Sequence, residues 1–258
     1  MRYALISDIH ANLPALQSVL SDIAKRPNID ATYHLGDLVG YAPWPNEVVR
    51  LLRDEGIAGV AGNYDSTVAT DYKHCGCRYE DARQEELSHL SYAWTRSHVS
   101  DETKRNLGSL PFRIDLRPLG GHVSGPRLTL LHGNHSLNTV YVTEDRTNGF
   151  LEKMGAATDA ATDDVVCFGH THRPWQRKVN GVLYVNTGSV GRPKDGDWRA
   201  GYVILEMSSV RVAAEFIRVE YDVDEAVRAI LTSGLPPDFA DHLRTGGAAI
   251  PASSPTSL

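Results

Sequence analysis

A chain of 258 residues, 41% of them hydrophobic and 22% charged, is long enough to bury one large core. Its formal net charge of −6 gives no global attraction to nucleic acid or anionic lipid, so no stable nucleic-acid complex and no membrane partner is expected. The N-terminus is too weakly basic and apolar for a signal peptide, no run approaches the roughly 18 apolar residues of a membrane span, and Cys75, Cys77 and Cys167 are too few for a disulfide framework, which together predict a cytoplasmic protein.

Tyr3 to Ser7 reads as a buried strand that ends at a polar cluster. Leu16, Val19, Leu20 and Ile23 have helical spacing, with Asn12 and Pro14 where a helix starts. Ala31 to Leu35 is a second strand, Pro45 to Glu55 a second helix, and Ile57 to Ala61 a third strand. Strands separated by helices of this length imply a parallel sheet with right-handed crossovers. Two helical segments follow, Asp81 to His98 and Asp101 to Leu110, then strands over Phe112 to Leu116 and Arg127 to Leu131. Arg146 to Ala157 reads as helix and Val165 to Phe168 as strand. From Trp175 to Val219 short strands alternate with Gly-containing turns, an antiparallel pattern. Asp222 to Ser233 is helical, and Asp238 to Leu243 reads as a further short helix. Residues 1–244 thus form one domain, and 245–258, rich in Gly, Ala, Ser, Pro and Thr, read as a disordered tail.

Five polar clusters each follow a predicted strand: Asp8-Ile9-His10, Gly36-Asp37, Gly62-Asn63-Tyr64-Asp65, His132-Gly133 and Gly169-His170-Thr171-His172. In sheets of this kind sites lie beyond the carboxyl ends of the strands, so the clusters can converge in space. Asp, His and Asn supply oxygen and neutral imidazole, which suit manganese, iron, nickel or zinc, and no cysteine is among them. Any one pair is a weak signal, since D-x-H and G-D commonly mark simple turns. It is their joint occurrence at successive strand ends that points to metal.

The order D-x-H, G-D, G-N-x-D, H-G, G-H-T-H resembles the calcineurin-like metallophosphoesterases, over Met1 to about Leu243. It is most similar to their small bacterial and archaeal phosphodiesterase branch, as are the strings GDLVGYAPWPNEVV and NTGSVGRPKDGDWRAGY. The resemblance implies an α/β fold, a four-layer α-β-β-α sandwich of two mixed sheets flanked by helices. It implies two divalent transition metal ions, with manganese favoured. Asp8, His10 and His172 would hold the first ion, and Asn63, His132 and His170 the second, with Asp37 as a bridge. Two cations need an anionic bridge to offset their repulsion, and Asp37 is the carboxylate of a middle motif. The implied reaction is attack on phosphorus by a hydroxide shared between the ions, in a small-molecule or nucleotide phosphoester.

Some positions depart from the family. Tyr64 stands where the large phosphatases have a catalytic His; a phenol is a poor proton shuttle at neutral pH, which favours activated diesters over simple monoesters. Its alternative is to pack against the cleft. Ala11 replaces the usual Gly. Asn134 and His135 follow the H-G pair, and His135 is read as an extra ligand, a substrate contact, a replacement acid or a solvent-facing loop residue. Arg192, with Lys194, lies in a Gly-rich loop and is a candidate phosphate contact or a surface ion pair. Asp65 either supports a ligating imidazole or caps the next turn; Asn12 reads as a helix cap and His34 as a packed residue. His74, Cys75 and Cys77 are too few for a tetrahedral zinc site and read as a loop near the cleft. The exposed-looking insert Asp81 to Leu110 makes a homodimer the expected assembly. The rival readings are a partner-binding scaffold of the same fold, as in the retromer subunit, and a protein or dinucleotide phosphatase. Loss of a motif ligand would favour the first, and every expected ligand type is present; the second is demoted because Gly36-Asp37-Leu38-Val39-Gly40-Tyr41 lacks the usual G-D-x-x-D/A-R-G string.

Overall fold

The computed structural model describes residues 1–79, 81–117, 125–208 and 211–248. The chain opens as β1 (Arg2–Ile6), α1 (Leu13–Lys25), β2 (Ala31–His34), α2 (Pro45–Asp54) and β3 (Ala58–Gly59). These are the expected parallel strands and crossover helices, and β1 pairs with β2 and β2 with β3 in parallel. Asn12 caps α1 by accepting from Ala15 N at 3.3 Å, and Pro14 stands in its first turn, where a missing N–H costs nothing.

Three helices follow: α3 (Asn63–Ala69), α4 (Ala82–His98) and α5 (Asp101–Gly108). The second half runs β4 (Ile114–Leu116), β5 (Leu128–Leu130), α6 (Asn148–Ala157), β6 (Val165–Phe168), β7 (Trp175–Val179), β8 (Val182–Asn186), β9 (Ala200–Met207), β10 (Val212–Val219), α7 (Val223–Thr232) and α8 (Asp238–Thr245). Among the described residues the strands form two five-stranded mixed sheets, β10-β9-β1-β2-β3 and β4-β5-β6-β8-β7. The antiparallel pattern expected after Trp175 resolves into two hairpins in different sheets, β7–β8 and β9–β10. β8 also pairs in parallel with β6.

Strand alternation builds the layers. Tyr3 and Leu5 of β1, Val203 and Leu205 of β9, and Val165 and Cys167 of β6 meet in one cluster between the sheets. Their neighbours Ala4, Ile6, Tyr202 and Ile204 point the other way, into a core shared with Leu16, Val19, Val227 and Ile230 of α1 and α7. Val166 and Phe168 pack outward against Leu151 and Met154 of α6. The result is the expected α-β-β-α sandwich, in which each fully buried Leu or Val contributes roughly 1.5–3 kcal/mol.

Three expectations need correction. The polar run after Gly62 is a helix, α3, and not a turn. Gly62 is its N-cap, and Asp65 at the third position accepts Gly62 N at 2.9 Å, so the residues that look turn-like are its capping apparatus. The insert 81–110 is tied to the body: Tyr92 Oη donates to Tyr72 O at 2.8 Å, Trp94 Nε1 donates to Ser233 O at 2.9 Å, and Arg83 pairs with Asp238. Cys75 and Cys77 are joined in a disulfide, which their count did not predict. Finally, residues 245–248 are ordered: α8 runs through Thr245, and Gly246, at φ 58, is its left-handed cap. The rest of the expected disordered tail, 249–258, lies outside the described residues.

Candidate metal centre

The polar clusters lie at the carboxyl ends of the strands of both sheets. Asp8 and His10 follow β1, Asp37 follows β2, Asn63 opens α3 beyond β3, His132 follows β5, and His170 and His172 follow β6. Their loops are bonded to one another: Asp8 N donates to Gly36 O at 3.0 Å, His10 N to Asp37 O at 3.0 Å, and Gly169 N to His132 O at 2.9 Å. Such cross-links hold an unfavourable backbone. Asp8, His10, Ala11, Asp37, His170 and His172 all adopt the left-handed region, with φ between 49 and 68. For residues other than glycine that costs on the order of 1–2 kcal/mol each, and strain of this kind gathers at functional sites.

The side chains form two buried groups. Asp8, His10 and His172 make one and Asp37, His132 and His170 the other, with the potential ligand atoms of each within 4.8 Å of one another. Asp37 Oδ2 stands between the groups, 3.8 Å from His10 Nε2 and 3.5 Å from His132 Nε2. Asn63 joins the second group, with Oδ1 3.1 Å from His132 Nε2. Its amide nitrogen donates to Cys75 O at 2.9 Å, which turns the oxygen toward the imidazole.

The proton positions test whether a cation fits. A backbone carbonyl can only accept, so His10 Nδ1 donates to Val39 O (3.0 Å), His132 Nδ1 to Leu35 O (2.7 Å) and His172 Nδ1 to Arg192 O (2.6 Å). In the neutral imidazoles Nε2 is then a bare lone pair. His10 Nε2 and His172 Nε2 face each other at 3.1 Å, an arrangement that repels unless a cation or proton lies between them. Asp8 Oδ1 is buried without a hydrogen-bond partner, 3.4 Å from His172 Nε2. Its other oxygen is held by Ser7 Oγ at 2.7 Å and His170 N at 3.0 Å. The two groups therefore fit a dinuclear site of nitrogen and oxygen donors.

Burial drives the imidazole pKa values down, to about 3 for His10 and His170 and well below 6.5 for His172, so these groups are neutral and ready to ligate at neutral pH. Burial also disfavours charge on His132, but the Asp37 carboxylate beside it lifts His132 to about 9. Burial would raise Asp37, but the His132 imidazole holds it well below the usual carboxylate range. Asp8 is pushed up to about 7 by burial.

These shifts predict acid lability of the metal-free protein. His10, His34 and His170 stay neutral down to about 3, 4 and 3, and His172 and His242 are also depressed, whereas an unfolded imidazole takes its proton near 6.5. The unfolded chain then binds more protons than the folded one below about pH 6.5, and each such group removes up to ~1.4 kcal/mol per pH unit there. Asp8 and Asp65, both raised to about 7, act in the opposite sense as pH falls, but they are two against five. Thermal unfolding in chelator should show a midpoint that drops steadily between pH 6.5 and 4.5, and saturating manganese should flatten that drop. A midpoint independent of pH would refute this account of the imidazoles.

The other candidates fall in different places. Tyr64 lies against the cavity wall, yet it is 1% exposed, its hydroxyl lies 3.3 Å from Ser91 Oγ, and burial raises its pKa well above 10. Its hydroxyl is thus turned toward α4, while the residue still lines the cavity. His135 is neither in the two groups nor among the residues lining the cavity beside them, and its Nδ1 is buried without a hydrogen-bond partner. Asp65 caps α3 and also accepts Leu38 N at 2.9 Å, tying the Asp37 turn to that helix. Arg192 lines the cavity, which measures about 250 Å³. Its lining also includes Tyr141, Phe239 and His242, which the sequence reading did not single out. Tyr141 stacks at 4.0 Å on His170. Ser7 was missed too, although a serine closing an apolar strand before D-x-H was a readable signal.

Residues 1–210 match the model of the calcineurin-like phosphoesterase superfamily domain. The uncharacterized protein MJ0912 of Methanocaldococcus jannaschii is 30% identical over 94% of this chain and 97% of its own length. A metallophosphoesterase from Sphaerobacter thermophilus superposes with a TM-score of 0.72 at 28% identity, covering 95% of this chain and 99% of its own. The hypothetical protein PH1004 from Pyrococcus horikoshii OT3 superposes with a TM-score of 0.80 at 20% identity, over 96% and 99% of the two chains. The family match, which spans every strand-end motif, shows that this chain belongs to the calcineurin-like phosphoesterase superfamily.

Proposed function

We propose that this protein is a phosphodiesterase dependent on two transition metal ions, manganese foremost, acting on a small-molecule or nucleotide substrate. Asp8, His10 and His172 would hold one ion, Asn63, His132 and His170 the other, and Asp37 would bridge them. When bound, two such ions supply a water acidified toward neutral pH and positive charge for the phosphoryl oxygens. The chain's own work is positioning. Carbonyls of Val39, Leu35 and Arg192 orient the imidazoles, Cys75 O orients Asn63, and Tyr64 N fixes Asp37 Oδ1 at 2.9 Å.

One observation favours a diester with a good leaving group: no imidazole of the cavity can serve as a general acid at neutral pH. His10, His170, His172 and His242 are all depressed far below 6.5 by burial, and the Tyr64 hydroxyl is packed away. The test is hydrolysis of bis-p-nitrophenyl phosphate and p-nitrophenyl phosphate by metal-stripped protein, resupplied in turn with manganese, iron(II), nickel, zinc and magnesium. Diester turnover restored by manganese and at least about tenfold faster than monoester turnover is expected. Monoester preference would overturn the argument from the missing acid.

A further inference from the structure

One basic residue of the cavity is held in an unusual state. The Arg192 guanidinium carbon lies 4.1 Å over the Tyr41 ring and 6.0 Å from the Phe239 ring. Its Nε is buried without a hydrogen-bond partner, and among the described residues no carboxylate pairs with it. The two carboxylates that line the cavity are committed elsewhere, Asp37 to the metal centre and Asp238 to Arg83 at 2.8 Å. Arg78 and Arg173 line the same cavity but are exposed. Arginine cannot shed its proton, so a guanidinium desolvated without a counter-charge suits a place where negative charge arrives.

Arg192 is registered against the metal centre at both ends. Tyr41, on which the guanidinium stacks, meets His10 edge-on with ring centres 4.9 Å apart, so a single aromatic ring separates the cation from a residue of that centre. Phe239 meets the same tyrosine edge-on at 5.3 Å. On the backbone side His172 Nδ1 donates to Arg192 O at 2.6 Å, and Arg192 N donates to Ser189 Oγ at 2.8 Å. The next carbonyl, Pro193 O, is 3.0 Å from His242 Nε2. Phe239 and His242 come from α8, beyond residue 210 where the family match ends, so part of the packing that holds the guanidinium lies outside the matched domain.

In-line chemistry says where negative charge arrives. A nucleophile delivered from between the two groups attacks phosphorus opposite the bond that breaks, so the leaving oxygen faces away from those groups and into the cavity. As the water-derived oxygen bonds to phosphorus, the P–O bond to the leaving group breaks and its electron pair stays on the leaving oxygen. The buried imidazoles of His10, His170 and His172 stay neutral and offer it no proton, so it departs as an anion and is protonated by solvent. We propose that Arg192 is a catalytic residue whose guanidinium hydrogen-bonds this leaving oxygen and stabilises the departing oxyanion without giving up a proton. A fixed cation aimed at charge that develops in the transition state lowers the barrier, because it interacts more strongly there than with the neutral ester oxygen. This deepens the phosphodiesterase reading and rests on it.

Methyl phosphodiesters of p-nitrophenol, p-chlorophenol and phenol test the idea on manganese-loaded protein, since the leaving oxygen becomes more basic along that series while the rest of the ester is constant. Arg192→Gln should lower kcat/KM by about tenfold for the p-nitrophenyl ester and by about a hundredfold or more for the phenyl ester. Arg192→Lys, which keeps the charge, should fall between wild type and Arg192→Gln. The same loss across the series would overturn the proposal, because Arg192 would then serve the oxygens that stay on phosphorus. So would no loss, or a loss that grows along the series in Lys194→Gln and not in Arg192→Gln. Calorimetry on metal-free protein gives a readout without turnover. The product anion p-nitrophenolate should bind wild type at least about tenfold more tightly than Arg192→Gln, whereas p-nitroanisole, its neutral methyl ether, should bind both alike. A variant that weakens both ligands alike would show a packing role and overturn the proposal. If no ester is hydrolysed with any ion, the phosphodiesterase reading fails, and phenolate affinities still decide on Arg192: equal values in the two proteins remove the oxyanion site whether or not the esters turn over.

Discussion

Replacing Asp37 with Asn should reduce manganese-dependent diester hydrolysis by about 10³-fold and leave the protein folded. The carboxylate is 2% exposed and lies between the two groups, 3.8 Å from His10 Nε2 and 3.5 Å from His132 Nε2. An amide keeps its size and can still accept from Tyr64 N through one oxygen, as Asp37 Oδ1 does at 2.9 Å. What it removes is the negative charge that offsets two neighbouring cations. Metal content measured by mass spectrometry should accordingly fall from two ions per chain to one or fewer, while circular dichroism stays unchanged. A variant that keeps both ions and full turnover would show that Asp37 is not a bridge. His132 gives a second readout, because the Asp37 carboxylate is what raises its pKa to about 9. In the metal-free variant the His132 NMR titration should move downward by at least about one unit.

Gly62→Ala should be severely damaging to both fold and metal centre. A β-carbon there would lie 2.1 Å from Asp37 Oδ1 and 2.2 Å from Asp37 N, closer than any real contact. Gly36 faces Gly62 across the same gap: it sits at φ +88, and its own β-carbon would meet Gly62 N at 2.3 Å. The turn after β2 and the start of α3 thus touch backbone to backbone, and only paired glycines permit it. Relief requires moving Asp37 or unwinding the first turn of α3, which carries Asn63. The expected loss is at least about 3 kcal/mol of stability, at the upper end for overpacking, together with loss of both ions. Gly149→Ala is the control. It lies in α6 with nothing within 4 Å of the added carbon, and it should be neutral or stabilising by up to about 1 kcal/mol. Denaturant unfolding of both variants in chelator separates the packing effect from lost metal. Equal midpoints would refute the steric argument.

Much of the centre could be read from local pattern. An apolar run that stops at Asp8, Asp37, His132 or His170 marks a strand end, and in a sheet with helical crossovers those ends converge. Residue type then restricts the chemistry to nitrogen and oxygen ligands. The sandwich layers were implied by the family resemblance, and the structure bears them out: Tyr3 and Leu5 alternate with Ala4 and Ile6 and face different cores. Helix α3 was obscured for a physical reason: its stability derives from Asp65 binding Gly62 N and Leu38 N, and Leu38 lies in a loop 27 residues away.

The roles of Tyr64, His135 and Arg192 were open in the sequence because each depends on what stands opposite. A tyrosine after Asn63 can face a cleft or a core, and only the packing of Ser91 and Tyr92 from α4 turns its hydroxyl inward. An arginine in a Gly-rich loop can pair on the surface or lie desolvated on aromatic rings. Tyr41 and Phe239, nearly 200 residues apart, make it the second. The sequence by itself determined where strands end and which nitrogen and oxygen donors stand there, since both follow from residue periods and donor chemistry, whereas the ligand assignment and the layer order came from the resemblance to the phosphoesterase family. Only the tertiary structure decided which polar groups are left without partners, since hydrogen bonding and desolvation depend on segments distant in the chain.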